Sequence, residues 1–205
     1  MSSRDPEIGV VVVADGPWEA TLRTLATLAR ATIGVPHRLV GVDDGTRDET
    51  AAALPRLPGM VTLRSDLPCG FAAAAAAGAG AARTAWVAFL RTGAEPRRGW
   101  LAGLLEAAQS HPDATALAGL LVGPDGLLVP GGAPAVPSPR VEPSTDLPAV
   151  GLAVRTDAFA AAEGFRAGWP GGEGPDLCRR LAPTPGAALL VRPVSVLWRE
   201  PSTGR

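Results

Sequence analysis

Lysine is absent from the 205-residue chain, and cysteine and histidine occur only twice each. The cysteines, Cys69 and Cys178, are far apart and neither belongs to a C-x-x-C pair, so the sequence does not predict a Cys/His metal site. We expect two reduced thiols, as in a cytoplasmic protein. The net charge of −1 provides no basic field that would attract nucleic acid. No apolar run reaches the roughly 18 residues of a membrane span, and the polar first residues do not resemble a signal peptide.

Strands and helices are predicted to alternate along residues 8–129. Residues 8–13 form a continuous β-branched run, typical of a strand that is buried on both faces. Residues 18–31 have the apolar spacing of an amphipathic helix. The same patterns place further strands at 37–42, 60–63, 85–90 and 114–122, and further helices at 47–57, 70–82 and 100–111. This order predicts an α/β fold with a mostly parallel sheet and helices on both faces.

The character of the sequence changes after residue 129. Residues 130–148 are rich in proline and are predicted to form a long loop, either mobile or a lid. A strand at 149–155 and a short helix at 156–162 follow. A glycine-rich loop at 164–174 then leads into a helix at 175–181, and two closing strands are predicted at 187–191 and 194–197.

Two adjacent carboxylates, Asp43 and Asp44, follow the predicted strand at 37–42. Open α/β sheets bind ligands at the carboxyl ends of their strands, which makes both acids candidates for ligand binding. The alternative is that one of them only caps the next helix. Thr46 and Glu49 have the T-x-x-E spacing of a capping box, which predicts that this helix begins directly after the turn.

Five segments occur in an order and spacing that is found in one enzyme family. They are VVVVA with the helix after it, VDDGTRDET, LPCGFAAAAAAGAGAA, WVAFLRTGAEPRRGWL and GLAVRTDAFAAAEGFRAGWPGGEGPDLCRRL. Together they resemble the inverting family-2 glycosyltransferases of the GT-A fold, with their V-D-D-G-S-x-D-x-T, D-x-D and E-D-x-D-L motifs. The resemblance implies one GT-A-like domain. Its nucleotide-binding half would span about 8–129 and its acceptor half about 149–199, with the proline-rich loop 130–148 between them.

The resemblance also implies what the site binds. In the family, the first turn and the D-D-G turn hold the base and ribose of a nucleoside-diphosphate sugar, which is UDP-, GDP- or dTDP-linked. The matching residues are Ala14, Asp15, Asp43, Asp44 and Gly45. The acceptor would be a sugar or another small molecule. Trp169, in the glycine-rich loop, is a candidate for stacking on a sugar ring, with anchoring of the loop on the core as the alternative.

The motifs that perform chemistry in the family are altered. The D-x-D turn, which binds Mg²⁺ or Mn²⁺ in the family, matches Arg91-Thr92-Gly93, so we predict no metal ligand there. Arg91 is a candidate for binding the diphosphate instead. The family's general base matches Gly174, which leaves Glu173 and Asp176 as candidates for a displaced base. The alternatives are a solvated loop residue for Glu173 and a first-turn helix acid for Asp176.

Two functions therefore stay open at this point. One is a glycosyltransferase that works without a metal ion. The other is a catalytically inactive GT-A scaffold that binds a nucleotide or a protein partner and assists an active transferase. The retained Asp43 and Asp44 favour nucleotide binding, whereas the altered D-x-D and E-D motifs favour inactivity. A nucleotidyltransferase is a weaker third possibility, because residues 14–17 lack a glycine-rich phosphate loop with a basic residue.

Overall fold

A computed structural model describes residues 7–127, 141–144, 146–168, 172–181 and 188–198. Within these ranges nine strands form one sheet. The strands are β1 Ile8–Ala14, β2 Arg38–Asp44, β3 Met60–Ser65, β4 Trp86–Arg91, β5 Ala94–Pro96, β6 Ala116–Val122, β7 Val141–Pro143, β8 Leu152–Arg155 and β9 Ala188–Trp198. The helices are α1 Trp18–Ala31, α2 Thr50–Ala53, α3 Phe71–Ala82, α4 Trp100–Ser110, α5 Thr156–Ala161 and α6 Glu173–Leu181.

The sheet has the order β3-β2-β1-β4-β8-β6-β9-β5, and β7 pairs with β9. The α/β fold is confirmed, with a parallel half formed by β3, β2, β1 and β4. The other half is mixed. The strand β8 is inserted between β4 and β6 and is antiparallel to both. Hydrophobic periodicity predicts that a segment forms a strand. It does not predict between which other strands of the sheet that strand lies.

The core lies on both faces of the parallel half. Alternate residues of β1 point to opposite sides, so that Val11 and Val13 pack in one cluster and Val10 and Val12 in the other. The alanine-rich α3 covers the first face. A Cβ at Gly78 would lie 3.0 Å from Cγ2 of Val42 and closer still to Val11. Small side chains therefore let α3 lie close to the sheet, as its composition predicts.

The expected helix at 47–57 is much shorter in the structure. Only Thr50–Ala53 is α-helical, and a 3₁₀ turn at Leu54–Arg56 contains Pro55, which has no N–H for a helical hydrogen bond. The predicted capping box is wrong. The Thr46 hydroxyl donates to Asp43 instead, and Asp48 accepts from the backbone N–H of Thr50.

The two closing strands that the sequence predicts are one strand, β9. It pairs with β6 in two registers, with Ala118 opposite Leu190 and Leu120 opposite Ser195. The strand therefore bulges around Pro193, which cannot donate to the ladder and which divided the apolar pattern.

No helix within the described ranges is long and apolar enough to cross a membrane.

Candidate functional site

A cavity of about 540 Å³ opens at the carboxyl ends of β1 and β2. Its walls come from the turn after β1, the turn after β2 and the loop before α3. The lining residues are Asp15, Gly16, Pro17, Asp44, Gly45, Thr46, Arg47, Asp48 and Pro68. We call residues 15–17 the first turn and residues 43–46 the DDG turn. The cavity thus lies at the carboxyl ends of parallel strands, where open α/β sheets bind ligands.

Asp43 stabilises the DDG turn from inside. It is 1% exposed, and one carboxylate oxygen accepts from the backbone N–H and the hydroxyl of Thr46, at 2.9 and 2.8 Å. The other oxygen forms an ion pair with Arg64 of β3, which also donates to the Thr46 carbonyl oxygen. Both oxygens of Asp43 are engaged within the protein, and Asp43 is not among the residues that line the cavity.

Asp44 lines the cavity and also holds the start of α3. One of its oxygens accepts from the Cys69 backbone N–H at 2.7 Å and from the Cys69 thiol at 3.0 Å. The other accepts from the Gly70 backbone N–H at 3.0 Å. The carboxylate therefore occupies the N-terminus of α3, where the helix dipole favours negative charge.

Gly45 supplies the backbone geometry of the DDG turn. Its φ of 69° lies in the left-handed region, and a Cβ there would lie 2.5 Å from the backbone nitrogen of Pro68. Both conditions require glycine. Ala14, the last residue of β1, is fully buried opposite Asp43 and is not among the residues that line the cavity.

Asp48, to which the sequence reasoning gave no role, caps α1 from the neighbouring turn. Its Oδ2 accepts from the Trp18 backbone N–H at 2.7 Å, and its Oδ1 accepts from Thr50 at 3.0 Å. Burial opposes ionisation of Asp48, but these hydrogen bonds lower its pKa below the usual range. The only available signal was the family-like spacing D-D-G-T-x-D, which is compatible with many contacts.

Asp15 and Arg91 form an ion pair at the edge of the cavity. The Asp15 side chain is 10% exposed. Its Oδ1 is buried, as is Nε of Arg91, and neither atom has a hydrogen-bond partner among the described residues. Burial raises the pKa of Asp15, although the Arg91 charge pulls it down, and the nearby Asp44 charge raises it further.

Arg91 is also held by aromatic rings. Its guanidinium carbon lies 5.3 Å from the ring centre of Phe71 in α3 and 5.9 Å from that of Trp198 in β9. Such contacts stabilise a cation over a ring face. Arg91 thus joins three elements of the fold: the first turn, α3 and β9.

The residues at the D-x-D position do not fit a divalent metal ion. Arg91 contributes a cation, and the next two residues are tied into the fold. The Thr92 hydroxyl lies 2.8 Å from that of Thr21, and the Gly93 N–H donates to the Thr24 hydroxyl at 3.1 Å. Within the described ranges, no three His, Cys, Asp or Glu side chains are grouped closely enough to hold a metal ion. Mg²⁺ is usually held by carboxylate oxygens, and Arg91, Thr92 and Gly93 provide none.

The acceptor side contains the two carboxylates that the sequence put forward as bases. Glu173 is half-buried at the first residue of α6. Asp176 is 9% exposed and pairs with Arg180, whose Nε donates to it at 2.9 Å, while Arg166 lies 3.8 Å away. Arg180 also donates to the carbonyl oxygens of Ala162 and Gly164. Asp176 is thus part of a network that fastens α6 to the turn after α5.

Gly174, at the position of the family's base, has no room for a side chain. A Cβ there would lie 2.5 Å from the backbone nitrogen of Ala149 and 2.7 Å from the carbonyl carbon of Pro148. The Leu147 carbonyl oxygen would be closer still. The segment 147–149 therefore packs directly against α6. Trp169, the candidate for sugar stacking, lies outside the described residues.

Comparison with known proteins identifies the family. Residues 9–133, more than half of the chain, match the model of glycosyl transferase family 2, and the chain belongs to that family. No curated protein matches the chain significantly.

Solved structures show the same GT-A fold. Residues 1–349 of S. aureus TarS superpose with a TM-score of 0.74 at 13% identity, covering 94% of this chain and 60% of that 349-residue chain. TarS in complex with UDP-GlcNAc gives a TM-score of 0.72 at 13% identity, over 95% of this chain and 59% of TarS. GalNAc-T7 with UDP, GalNAc and Mn²⁺ gives 0.78 at 16% identity, over 96% of this chain and 44% of that protein. The chain spans less than two thirds of either neighbouring chain. At these identities the likeness shows the fold alone, and it confirms the predicted fold.

Proposed function

We propose that this glycosyl transferase family 2 domain binds a nucleoside-diphosphate sugar in the cavity between the first turn and the DDG turn, without a divalent metal ion. The observation that carries the proposal is the cavity at the carboxyl ends of β1 and β2, with the carboxylate residues Asp15 and Asp44 in its wall. Carboxylates at this place can accept hydrogen bonds from a base N–H or from ribose hydroxyls. TarS binds UDP-GlcNAc within the same fold, which makes UDP-linked sugars the first donors to test.

The metal-independent part of the proposal rests on Arg91. The guanidinium stands at the D-x-D position and is anchored by Asp15 and two aromatic rings. The residues at this position therefore provide no set of ligands for Mn²⁺. The predicted contact between Arg91 and the phosphates would require Arg91 to turn away from Asp15, and it stays a prediction.

For sugar transfer, Glu173 is the better candidate for the general base. Asp176 is buried and its Oδ2 is engaged by Arg180, which makes it less available to an acceptor hydroxyl. Glu173 is half-buried in the first turn of α6, beside the position that the family uses. In this reaction the carboxylate of Glu173 would take the proton of an acceptor hydroxyl as that oxygen attacks the anomeric carbon of the donor. The bond from that carbon to the diphosphate oxygen would break in the same step, and the nucleoside diphosphate would leave. The acceptor and a cytoplasmic location stay predictions.

A second candidate function is nucleotide binding without transfer, in support of an active transferase. The packing of residues 147–149 against Gly174 favours it, because the family's base position is closed to any side chain. The two candidates differ in product formation and not in binding.

The test is calorimetric binding of UDP-GlcNAc, followed by chromatography of released UDP with simple sugar acceptors. Transfer by Glu173 predicts UDP release that Glu173→Gln abolishes while binding is retained. Glu106→Gln, on the exposed face of α4, is the matched control. Binding without UDP release by the wild-type protein would favour the non-catalytic function. No binding of UDP-, GDP- or dTDP-linked donors would contradict the proposal as a whole.

A further inference from the structure

Helix α1 has a row of apolar side chains that the core covers only in part. The core-facing residues of the helix are Ala20, Thr21, Thr24, Leu28 and Ala31. Beside them, at spacings of four, three and four residues, runs the row that we call the α1 stripe: Trp18, Leu22, Leu25 and Ala29. Leu22 is 45% exposed and Ala29 is exposed, while Trp18 and Leu25 are half-buried. Side chains at this spacing lie on one side of a helix, so the stripe is continuous along α1.

The spacing and the exposure of the stripe together indicate an interface. Alternation of three and four residues is the pattern of a helix that packs side by side with another helix. Five large apolar side chains are exposed in the described part of the chain, and two of them, Leu22 and Ile33, lie on α1 and just after its end. Single exposed apolar residues are normal, whereas a continuous row of them is typical of a contact surface. The α1 stripe therefore has the pattern of a helix that packs against a partner.

The charges beside the stripe indicate what that partner is. Glu19 lies in the first turn of α1 and Arg30 in its last turn, with Arg23 between them on the same side of the helix. All three side chains are exposed, and none of them forms an ion pair with another described residue. The border of the stripe is thus acidic at one end and basic at the other.

A second copy of the chain complements this border. When two α1 helices pack antiparallel about a two-fold axis, the first turn of each lies beside the last turn of the other. Glu19 of one copy then faces Arg30 of the other, twice in each dimer, and Leu22 packs against Leu25. A parallel pair would place Glu19 against Glu19 and Arg30 against Arg30, and such like-charge contacts are unfavourable.

We infer that the chain forms a homodimer through the α1 stripe, with the two α1 helices antiparallel and with Glu19 of each copy paired to Arg30 of the other. The inference goes beyond the proposed function, which concerns a cavity within one chain. Because nucleotide binding does not require the dimer, either proposal can fail without the other.

Sedimentation equilibrium of the full chain at several protein concentrations tests the dimer. We expect a monomer–dimer equilibrium with a dissociation constant on the order of 10 μM. Glu19→Arg should weaken the dimer by about tenfold, because two attractions become two repulsions, and Arg30→Glu should have the same effect. The double variant with both substitutions restores opposite charges and should dimerise within about threefold of the wild-type protein. Glu106→Arg, on the exposed face of α4, is the matched control and should leave the dissociation constant unchanged.

Leu22→Gln tests the apolar part of the interface. It removes the most exposed large side chain of the stripe and should also weaken the dimer by about tenfold or more. Circular dichroism of each variant checks that it is folded. Rescue by the double charge variant is a readout that a loss of folding does not produce.

A wild-type chain that stays monomeric up to about 200 μM protein would overturn the inference. A dimer that Leu22→Gln and both single charge variants leave intact would also overturn it, because the interface would then lie elsewhere. A double variant no tighter than the single variants would contradict the antiparallel arrangement. Sedimentation of a monomeric chain with anionic lipid vesicles, lost in Leu22→Gln, would overturn the inference by showing that the stripe contacts a membrane instead.

Discussion

Arg91 donates a hydrogen bond to Asp15 at the place where a D-x-D turn would present carboxylates to a metal ion. The pair links the end of β4 to the first turn, which lines the cavity. A metal ion performs such a link by attracting carboxylates, whereas this chain uses a guanidinium that is also held by Phe71 and Trp198. The Asp15–Arg91 ion pair therefore holds this part of the site together and is also the reason that we expect ligand binding to be independent of a metal ion.

Asp15→Asn is expected to weaken nucleotide binding by about tenfold, because a charge-assisted hydrogen bond becomes a neutral one. Calorimetry with UDP checks this, and circular dichroism checks that the variant is folded. Asp113→Asn, in the exposed turn between α4 and β6, is the matched control and should bind like the wild-type protein. Equal affinities of Asp15→Asn and Asp113→Asn for UDP would show that Asp15 does not contribute to nucleotide binding.

The stability of the protein should depend on pH through Asp15. Burial raises the Asp15 pKa above its ordinary 3.8, so the folded state holds this proton more tightly than the unfolded state. The resulting stabilisation is complete below 3.8 and is lost as the pH rises through the raised pKa. Urea unfolding at several pH values should show the wild-type protein gaining stability relative to Asp15→Asn as the pH falls through this window. A constant difference would show that Asp15 titrates normally.

The two cysteines should differ in reactivity. Both are free; Cys69 is exposed and Cys178 is buried, with a pKa that burial raises to about 12. At pH 8 we expect iodoacetamide to modify Cys69 and to reach Cys178 only after unfolding, as mass spectrometry of the alkylated protein would show. The hydrogen bond from the Cys69 thiol to Asp44 raises the Cys69 pKa. Asp44→Asn should therefore speed alkylation of Cys69. An unchanged alkylation rate would contradict the hydrogen bond between the Cys69 thiol and Asp44.

Gly174→Ala should destabilise the protein by about 3 kcal/mol, because the added methyl group overlaps the backbone of residues 147–149. Gly80→Ala is the matched control. Gly80 lies inside α3 with no atom within 4 Å of its missing Cβ, so alanine should stabilise the helix there by about 1 kcal/mol. Urea unfolding measures both. A Gly174→Ala variant as stable as the wild-type protein would show that the base position can accept a side chain.

The sequence predicts the parallel half of the fold because its signals are local. The buried run of β1, the spacing of α1 and the small residues of α3 each determine one element. The insertion of β8 between β4 and β6 depends on contacts between distant segments, which no short pattern records.

The candidate site is predictable to a similar degree. The position of Asp44 beside a cavity follows from its place after a strand, and the absence of carboxylates at the D-x-D position is visible in the sequence. The hydrogen-bond and ion-pair partners of the site residues cannot be predicted from the sequence. Asp43 turns inward to Thr46 and Arg64, Asp48 reaches the start of α1, and Arg91 is neutralised by Asp15. Each of these contacts is set by the relative placement of two loops, which the spacing of residues within one loop does not determine.

The measurement that tests the central claim most directly is the affinity of the full chain for UDP, measured by calorimetry first in EDTA and then in Mn²⁺. The account predicts binding in EDTA and a dissociation constant in Mn²⁺ that agrees with it within about twofold. Binding that appears only in Mn²⁺ would contradict the account, because it would require a metal site that the residues around Arg91 do not form.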